Sequence, residues 1–121
     1  MRDRLSEVEF EDRETVLIAR LAGEIDGSNA VELERALAQR LASSAHGLVL
    51  DLSEVSYLDS AGIELLFGLA RSLGDRRQRL RLVVPDSSPL RRVLEICDIS
   101  SVAPMAETAE GAAGAFAAGP D

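Results

Sequence analysis

The segment Leu48-Val49-Leu50-Asp51-Leu52 constrains this chain more than any other. It is short, almost wholly apolar and bounded by polar residues. A run of that kind suits a strand covered on both faces, the usual state of a central strand in a parallel sheet. The chain must therefore supply further strands beside it and helices above and below it.

Those elements can be read on either side. Val8 to Phe10 and Thr15 to Ala22 predict two short strands, with Glu11-Asp12-Arg13-Glu14 as a polar turn between them and Gly23 as the break. A helix follows, with Asn29 as its cap and Glu32 in the reciprocal position. Leu33, Ala36, Leu37 and Leu41 form its apolar stripe, and it ends near Ser43-Ser44. After the central strand, Ser53 to Asp59 reads as a connection. A second helix runs from Ser60 to about Leu73, with Ile63, Leu66, Phe67, Ala70 and Leu73 on one face and Gly74 as its terminal glycine. Leu80 to Val84 predicts another strand, stopped by Pro85. Pro89 opens a third helix over Leu90 to Cys97, and Val102-Ala103 suits one more short strand. The tail from Glu107 is rich in Ala and Gly, with Phe116 as its large apolar residue. A last helix there is weakened by Gly111 and Gly114, and the final residues are expected to fray. Strand and helix alternate after residue 15, which means an α/β domain with a mixed, mostly parallel sheet of four to five strands and about four helices. Residues 1–106 form the domain and 107–121 a terminal helix and tail. The 121 residues are one domain's worth, and with aromatics at 3% the core must be aliphatic.

Functional residues in such sheets gather where strands feed into helices, here residues 23–28, 53–62 and 85–89. Most chemistry is excluded at those junctions. There is no glycine-rich phosphate loop of either common pattern, so no nucleotide cofactor is expected. One His and one Cys offer no metal cluster. Ser60 stands in Leu58-Asp59-Ser60-Ala61-Gly62, which is not a nucleophile elbow, and His46 is far from any triad order. Nothing separates the acidities of Glu24 and Asp26, or of Asp51 and Asp59, as paired acid–base work requires. The chain therefore reads as no enzyme. A net charge of −8 makes nucleic acid and anionic membranes poor partners. The basic cluster Arg76, Arg77, Arg79 and Arg81 reads as a solvated loop and strand edge. No apolar run approaches the roughly 20 residues that span a bilayer. The opening Met1-Arg2-Asp3-Arg4 lacks the apolar core of a secretory signal, and the lone Cys97 fits a reducing compartment, so a cytoplasmic location is expected.

Three segments carry more information together than apart. Val49 to Ile63 combines an apolar strand ending in Asp, a short connection and Asp59-Ser60-Ala61-Gly62 ahead of an apolar helix. Leu21-Ala22-Gly23-Glu24-Ile25-Asp26 precedes the first helix. Pro85 to Cys97, with Pro89, Arg91, Arg92, Val93, Leu94 and Glu95, spans the third. In this order and spacing they resemble the STAS domain, and more narrowly the bacterial anti-sigma factor antagonists, over about residues 8 to 105.

The resemblance implies a partner switch. The unphosphorylated antagonist binds an anti-sigma factor that is also an ATP-dependent serine kinase, and so releases a sigma factor. Phosphorylation of the antagonist dissolves the complex, and a phosphatase resets it. By position the acceptor is Ser60, with Glu24, Asp26, Asp59, Ala61 and Gly62 as partner contacts and Gly62 as a place of close backbone approach. Taken by itself, Ser60 reads first as a plain helix cap, and only the three segments together favour the switch. Asp51 and Asp59 are expected to frame the acceptor loop through backbone N–H groups. Two positions depart from the family pattern. Asp98 replaces a glycine that commonly ends the third helix, a left-handed position that Asp tolerates. Ala61 replaces a Ser or Thr. The alternative function is a STAS scaffold in a stressosome-like or lipid-transport assembly, without a phospho-switch.

Overall fold

Leu48, Val49, Leu50 and Leu52 are fully buried at the centre of a mixed sheet. The computed structural model describes residues 7–117. The sheet contains β1 (Glu7–Arg13), β2 (Val16–Ile25), β3 (Gly47–Leu58), β4 (Arg79–Val83) and β5 (Met105–Ala106), in that spatial order. β1 is antiparallel to β2, and the other pairs are parallel. The helices are α1 (Ala30–Arg40), α2 (Ser60–Asp75), α3 (Arg91–Ile96) and α4 (Ala109–Ala117).

Side chains alternate across each strand, so the two faces need separate cover. Leu48, Leu50 and Leu52 belong to the large cluster that includes Leu33 and Leu37 of α1 and Leu65, Leu66 and Leu69 of α2. Val49 faces the other way, with Val16, Ile18 and Val83, and α4 covers them through Ala109, Ala112 and Ala113. The alanine-rich tail thus has a packing role, because short side chains let the helix lie close. Burying each Val or Ile is worth about 1.5–3 kcal/mol. Together they outweigh the roughly 1 kcal/mol that each of Gly111 and Gly114 costs in helix propensity. Phe116 closes this layer. A Cβ on Gly47 would run into its ring and the Arg79 carbonyl, and the Arg81 guanidinium stands 5.2 Å from its centroid. Fraying of the last residues concerns 118–121, which lie outside the described residues.

Several local expectations are corrected. The polar residues Glu11 to Arg13 belong to β1, and the turn is Glu14-Thr15, where Glu14 has φ 55°. Glu11 is held below the usual carboxylate range by its hydrogen bond from Arg13 and then by Arg20. In α1 the buried positions are Ala30, Leu33 and Leu37, and Ala36 is exposed because the stripe is turned toward α2. In α2 the buried residues are Gly62, Leu65, Leu66, Leu69 and Leu73, with Ile63, Phe67 and Ala70 at the margin. The last strand is Met105–Ala106 rather than Val102-Ala103. A short 3-10 helix, Ile99–Ser101, occupies the chain just before it.

The largest correction concerns Ser53 to Asp59. It is no loose connection, because β3 continues to Leu58 and pairs with β2 to its end. Between Arg20 and Ala22, and again between Gly23 and Glu24, β3 takes one residue more than β2. Each such bulge advances the side-chain phase by one residue. The buried positions therefore become Leu52, Val55 and Leu58, a spacing of three that conceals a strand.

The end of α2 also differs. Gly74 lies inside the helix, and the left-handed residue is Arg77, with φ 62°. Gln78 N–H donates to the Leu73 carbonyl at 2.8 Å, and Arg77 N–H to that of Gly74 at 3.0 Å. This is a Schellman closure, with Arg77 where glycine is usual. Asp98, by contrast, takes the left-handed conformation expected of it, φ 59° and ψ 38°.

The left-handed conformation costs a residue bearing Cβ about 1–2 kcal/mol, part of which glycine gives back as unfolded-chain entropy. Arg77→Gly is therefore expected to raise the unfolding free energy by roughly 0.5–1 kcal/mol in urea titrations. An unchanged or lower midpoint would show that Arg77 bears no strain.

Candidate functional site

Two turns meet at the carboxyl ends of β2 and β3. The first spans 24–29. Its centre is Asp26, whose carbonyl accepts from Asn29 N–H at 3.1 Å and Ala30 N–H at 2.9 Å. Its carboxylate accepts from Ser28 N–H at 2.9 Å and from the Ser28 hydroxyl at 2.6 Å. Asn29 does not cap α1 with its side chain, as the sequence pattern suggests. It is 3% exposed and turns back instead. Its Oδ1 accepts from Asp26 N–H at 3.0 Å, and its Nδ2 donates to the Glu24 carbonyl at 2.9 Å. Buried polar groups keep their partners, and here the partners are the backbone of the turn itself. Asn29 is the residue that sequence reasoning misplaced. A buried Asn within a polar junction has no distinctive spacing.

The second turn is the step from β3 into α2. Asp59, not Ser60, is the N-cap, and its Oδ1 accepts from Gly62 N–H at 3.1 Å. The other oxygen reaches across to Gly27 N–H at 3.3 Å. Asp59 N–H meanwhile donates to the Ile25 carbonyl at 3.3 Å. One carboxylate thus closes the helix end and ties both turns together. Ser60 becomes the first helical residue and is exposed, and among the described residues no hydrogen bond engages its hydroxyl. The reading of Ser60 as the helix cap is set aside, since Asp59 fills that role.

Gly62 also needs restating. It is buried, so it offers no outward surface, and the close approach it permits is internal. A Cβ there would lie 2.7 Å from Leu58 Cδ1 and 3.0 Å from the Ile25 carbonyl oxygen. Ala61 is half-buried against the main core. The outward residues are Glu24 and Ser60, with Asp26 and Asp59 half-buried between them. Tyr57, 52% exposed, pairs with Glu24 in the β2–β3 register and adds an aromatic rim. Asp51 lies away from this junction. It accepts from Ser53 N–H at 3.0 Å and Ser53 Oγ at 2.7 Å, and so fixes the first bulge rather than the acceptor loop.

The junction is a surface rather than a pocket. Cavities of about 330, 230 and 160 Å³ are lined by residues elsewhere. Among the described residues no group of three His, Cys, Asp or Glu side chains could hold a metal ion. No helix there is long and apolar enough to cross a membrane. His46 is an exposed loop residue whose backbone joins Thr15 and Arg79. The third motif has a packing role. Arg91 Nη1 donates to the Val84 carbonyl at 2.5 Å and Nε to Glu95 at 3.1 Å, which fastens α3 to the end of β4.

The STAS domain family model matches residues 7–112. The Bordetella bronchiseptica protein BtrV is 36% identical over 102 residues, covering 84% of this chain and 86% of its own. The anti-sigma-B factor antagonist of Listeria monocytogenes is 34% identical over 96 residues, covering 78% and 83%. A crystal structure of an anti-sigma factor antagonist from Mycobacterium paratuberculosis superposes with a TM-score of 0.80 at 28% identity, covering 95% of this chain and 97% of that one.

Two glycines of α2 provide an internal comparison. A Cβ at Gly68 would meet only Glu34 Oε2, at 3.8 Å. Gly68→Ala should therefore gain up to about 1 kcal/mol of helix propensity. Gly62→Ala must push Leu58 and the Ile25 carbonyl aside and should lose about 1–2 kcal/mol net. Equal urea midpoints for the two variants would refute the close approach at Gly62.

Proposed function

The chain belongs to the STAS domain family, and from that premise we propose that it is an anti-sigma factor antagonist switched off by phosphorylation of Ser60. It binds an anti-sigma factor that is also a serine kinase, and so sets a sigma factor free. Phosphorylation of Ser60 ends that binding, and a phosphatase restores it. The role is regulatory, with the catalysis supplied by the partners. The names of the relatives support the antagonist reading.

The observation that carries the switch is the division of labour between Asp59 and Ser60. Because Asp59 caps α2 through Gly62 N–H, Ser60 is left exposed at the first turn with no structural task. A hydroxyl so placed can be modified without unfolding the domain. The first turn still has N–H groups with no intrahelical partner, at the positive end of the helix dipole. A phosphate there is locally tolerated. Its effect is felt outward. It adds about 1.5–2 negative charges and considerable bulk beside Asp59, Asp26 and Glu24. A partner fitted to a small hydroxyl next to Ala61 then meets a larger, more anionic face. A loss of about 1.4 kcal/mol weakens binding tenfold, and a desolvated like-charge contact can exceed that.

The test uses an anti-sigma factor with serine kinase activity from the same organism. Incubation with ATP should add the mass of one phosphate to the wild type and none to Ser60→Ala. In the same mixture Ser60→Ala should still bind the kinase, and Ser60→Asp should bind at least about tenfold more weakly. An active kinase that leaves the wild type unmodified defeats the switch and returns the chain to a scaffold role.

A further inference from the structure

A buried amide side chain is costly unless both of its ends are paired, and Asn29 pairs both within a single turn. Its Oδ1 accepts from Asp26 N–H at 3.0 Å, and its Nδ2 donates to the Glu24 carbonyl at 2.9 Å. Its own backbone N–H donates to the Asp26 carbonyl at 3.1 Å. None of these three bonds touches α2. An amide suits the place because it carries a donor and an acceptor on one fork, which neither alanine nor an ionised carboxylate does.

The two peptide units after Ile25 show where these bonds lead. The unit joining Ile25 to Asp26 gives its N–H to Asn29 Oδ1, and its carbonyl accepts from Asp59 N–H at 3.3 Å. The unit joining Asp26 to Gly27 gives its carbonyl to Asn29 N–H, and its own N–H donates to Asp59 Oδ2 at 3.3 Å. A peptide unit is planar, and its N–H and C=O point to opposite edges. Two successive plates are thus held by Asn29 along one edge and by Asp59 along the other. Turning either plate at its Asn29 edge displaces the group that Asp59 holds at the opposite edge.

Asp59 passes the constraint to the helix. Its Oδ1 accepts from Gly62 N–H at 3.1 Å, and the residue between its backbone and that cap bond is Ser60. There is little slack, because a Cβ on Gly62 would already stand 3.0 Å from the Ile25 carbonyl oxygen. Glu24 is exposed and its carbonyl is tied to Asn29, so its bearing on the outer surface is set by the same side chain. We infer that Asn29 is a positioning residue of the Ser60 switch, an inference that rests on the reading of Ser60 as the phospho-acceptor. Being buried, it does not meet the partner. It sets Ser60 and Glu24 relative to each other through the two peptide units and Asp59.

The test compares Asn29→Ala with Ile18→Val or Ile18→Ala, whichever matches its urea midpoint. Ile18 is buried on the sheet face that α4 covers, so these variants lose stability without touching either turn. All measurements are made far below the midpoint, with the anti-sigma factor kinase used for Ser60. Asn29→Ala should lower its affinity, and kcat/KM for phosphorylation of Ser60, about tenfold against the matched control. The amides of Asp59 and Gly62 should exchange with deuterium faster than in that control, with no partner present. Asp59→Asn leaves one acceptor for the two N–H groups of Gly27 and Gly62. Combined with Asn29→Ala it should lose about as much as the worse single variant, and not the product of both losses. If Asn29→Ala fails to fold, Asn29→Ser, which keeps a hydroxyl for Asp26 N–H, takes its place with the same expected outcomes. The inference is overturned if the variant matches the Ile18 control toward the kinase, if the two amides exchange as in that control, or if the losses multiply. A wild type that an active kinase neither binds nor modifies removes the switch itself, and this inference with it.

Discussion

The burial of β3 on both faces is the constraint on which the remaining structure rests. Leu48, Leu50 and Leu52 look toward α1 and α2, and Val49 looks toward α4. Removing either layer would expose aliphatic surface that no polar group can satisfy, at about 25 cal/mol for each Å². The short side chains of α4, the absent side chain of Gly47 and the ring of Phe116 are all consequences of closing the second layer. With so few aromatic residues, the core depends on many aliphatic contacts rather than on a few large anchors.

The same strand delivers the candidate site. Beyond Asp51 it leaves β4 and runs on beside β2 alone, with a bulge at each of two steps. The bulges keep Leu52, Val55 and Leu58 on the buried side while the ribbon turns toward α1 and α2. At its end Asp59 spends both carboxylate oxygens on backbone N–H groups, one in each turn. Asn29 holds the first turn from within. Rigid backing of this sort places the exposed Ser60 on a defined surface, as the proposed switch requires.

Much of this was legible in the chain. The apolar run at 48–52, the stripe of α1 through Leu33, Leu37 and Leu41, and the order of strands and helices follow from residue periodicity. The meeting of residues 24–26 with 59–62 follows from parallel connectivity, which gathers the carboxyl ends of neighbouring strands. Other features were hidden for particular reasons. Period-three burial in a bulged strand imitates a loop. Arg77 occupies a position where propensity expects Gly74 to act. Asn29 has the composition of a cap, but the carbonyl of Glu24 and the amide of Asp26 compete for its side chain. Asp59 and Ser60 are both good caps in isolation, and the folded turn gives the role to Asp59, whose backbone is still extended and whose oxygens reach Gly62 and Gly27.

The sequence by itself determined the class of fold, the sites where function could lie and the exclusion of phosphate-loop and triad chemistry. Those properties depend on residue type, spacing and charge, all of which are local. Tertiary structure decided which residues of a junction face outward and which are spent on packing. It turned Gly62 inward and left Ser60 without a structural duty. Each of these depends on groups distant in the chain being brought within a few ångströms, which no local pattern encodes. The exposed serine at the start of α2 is therefore a residue the sequence could indicate, while its freedom from capping is a property of the folded turn.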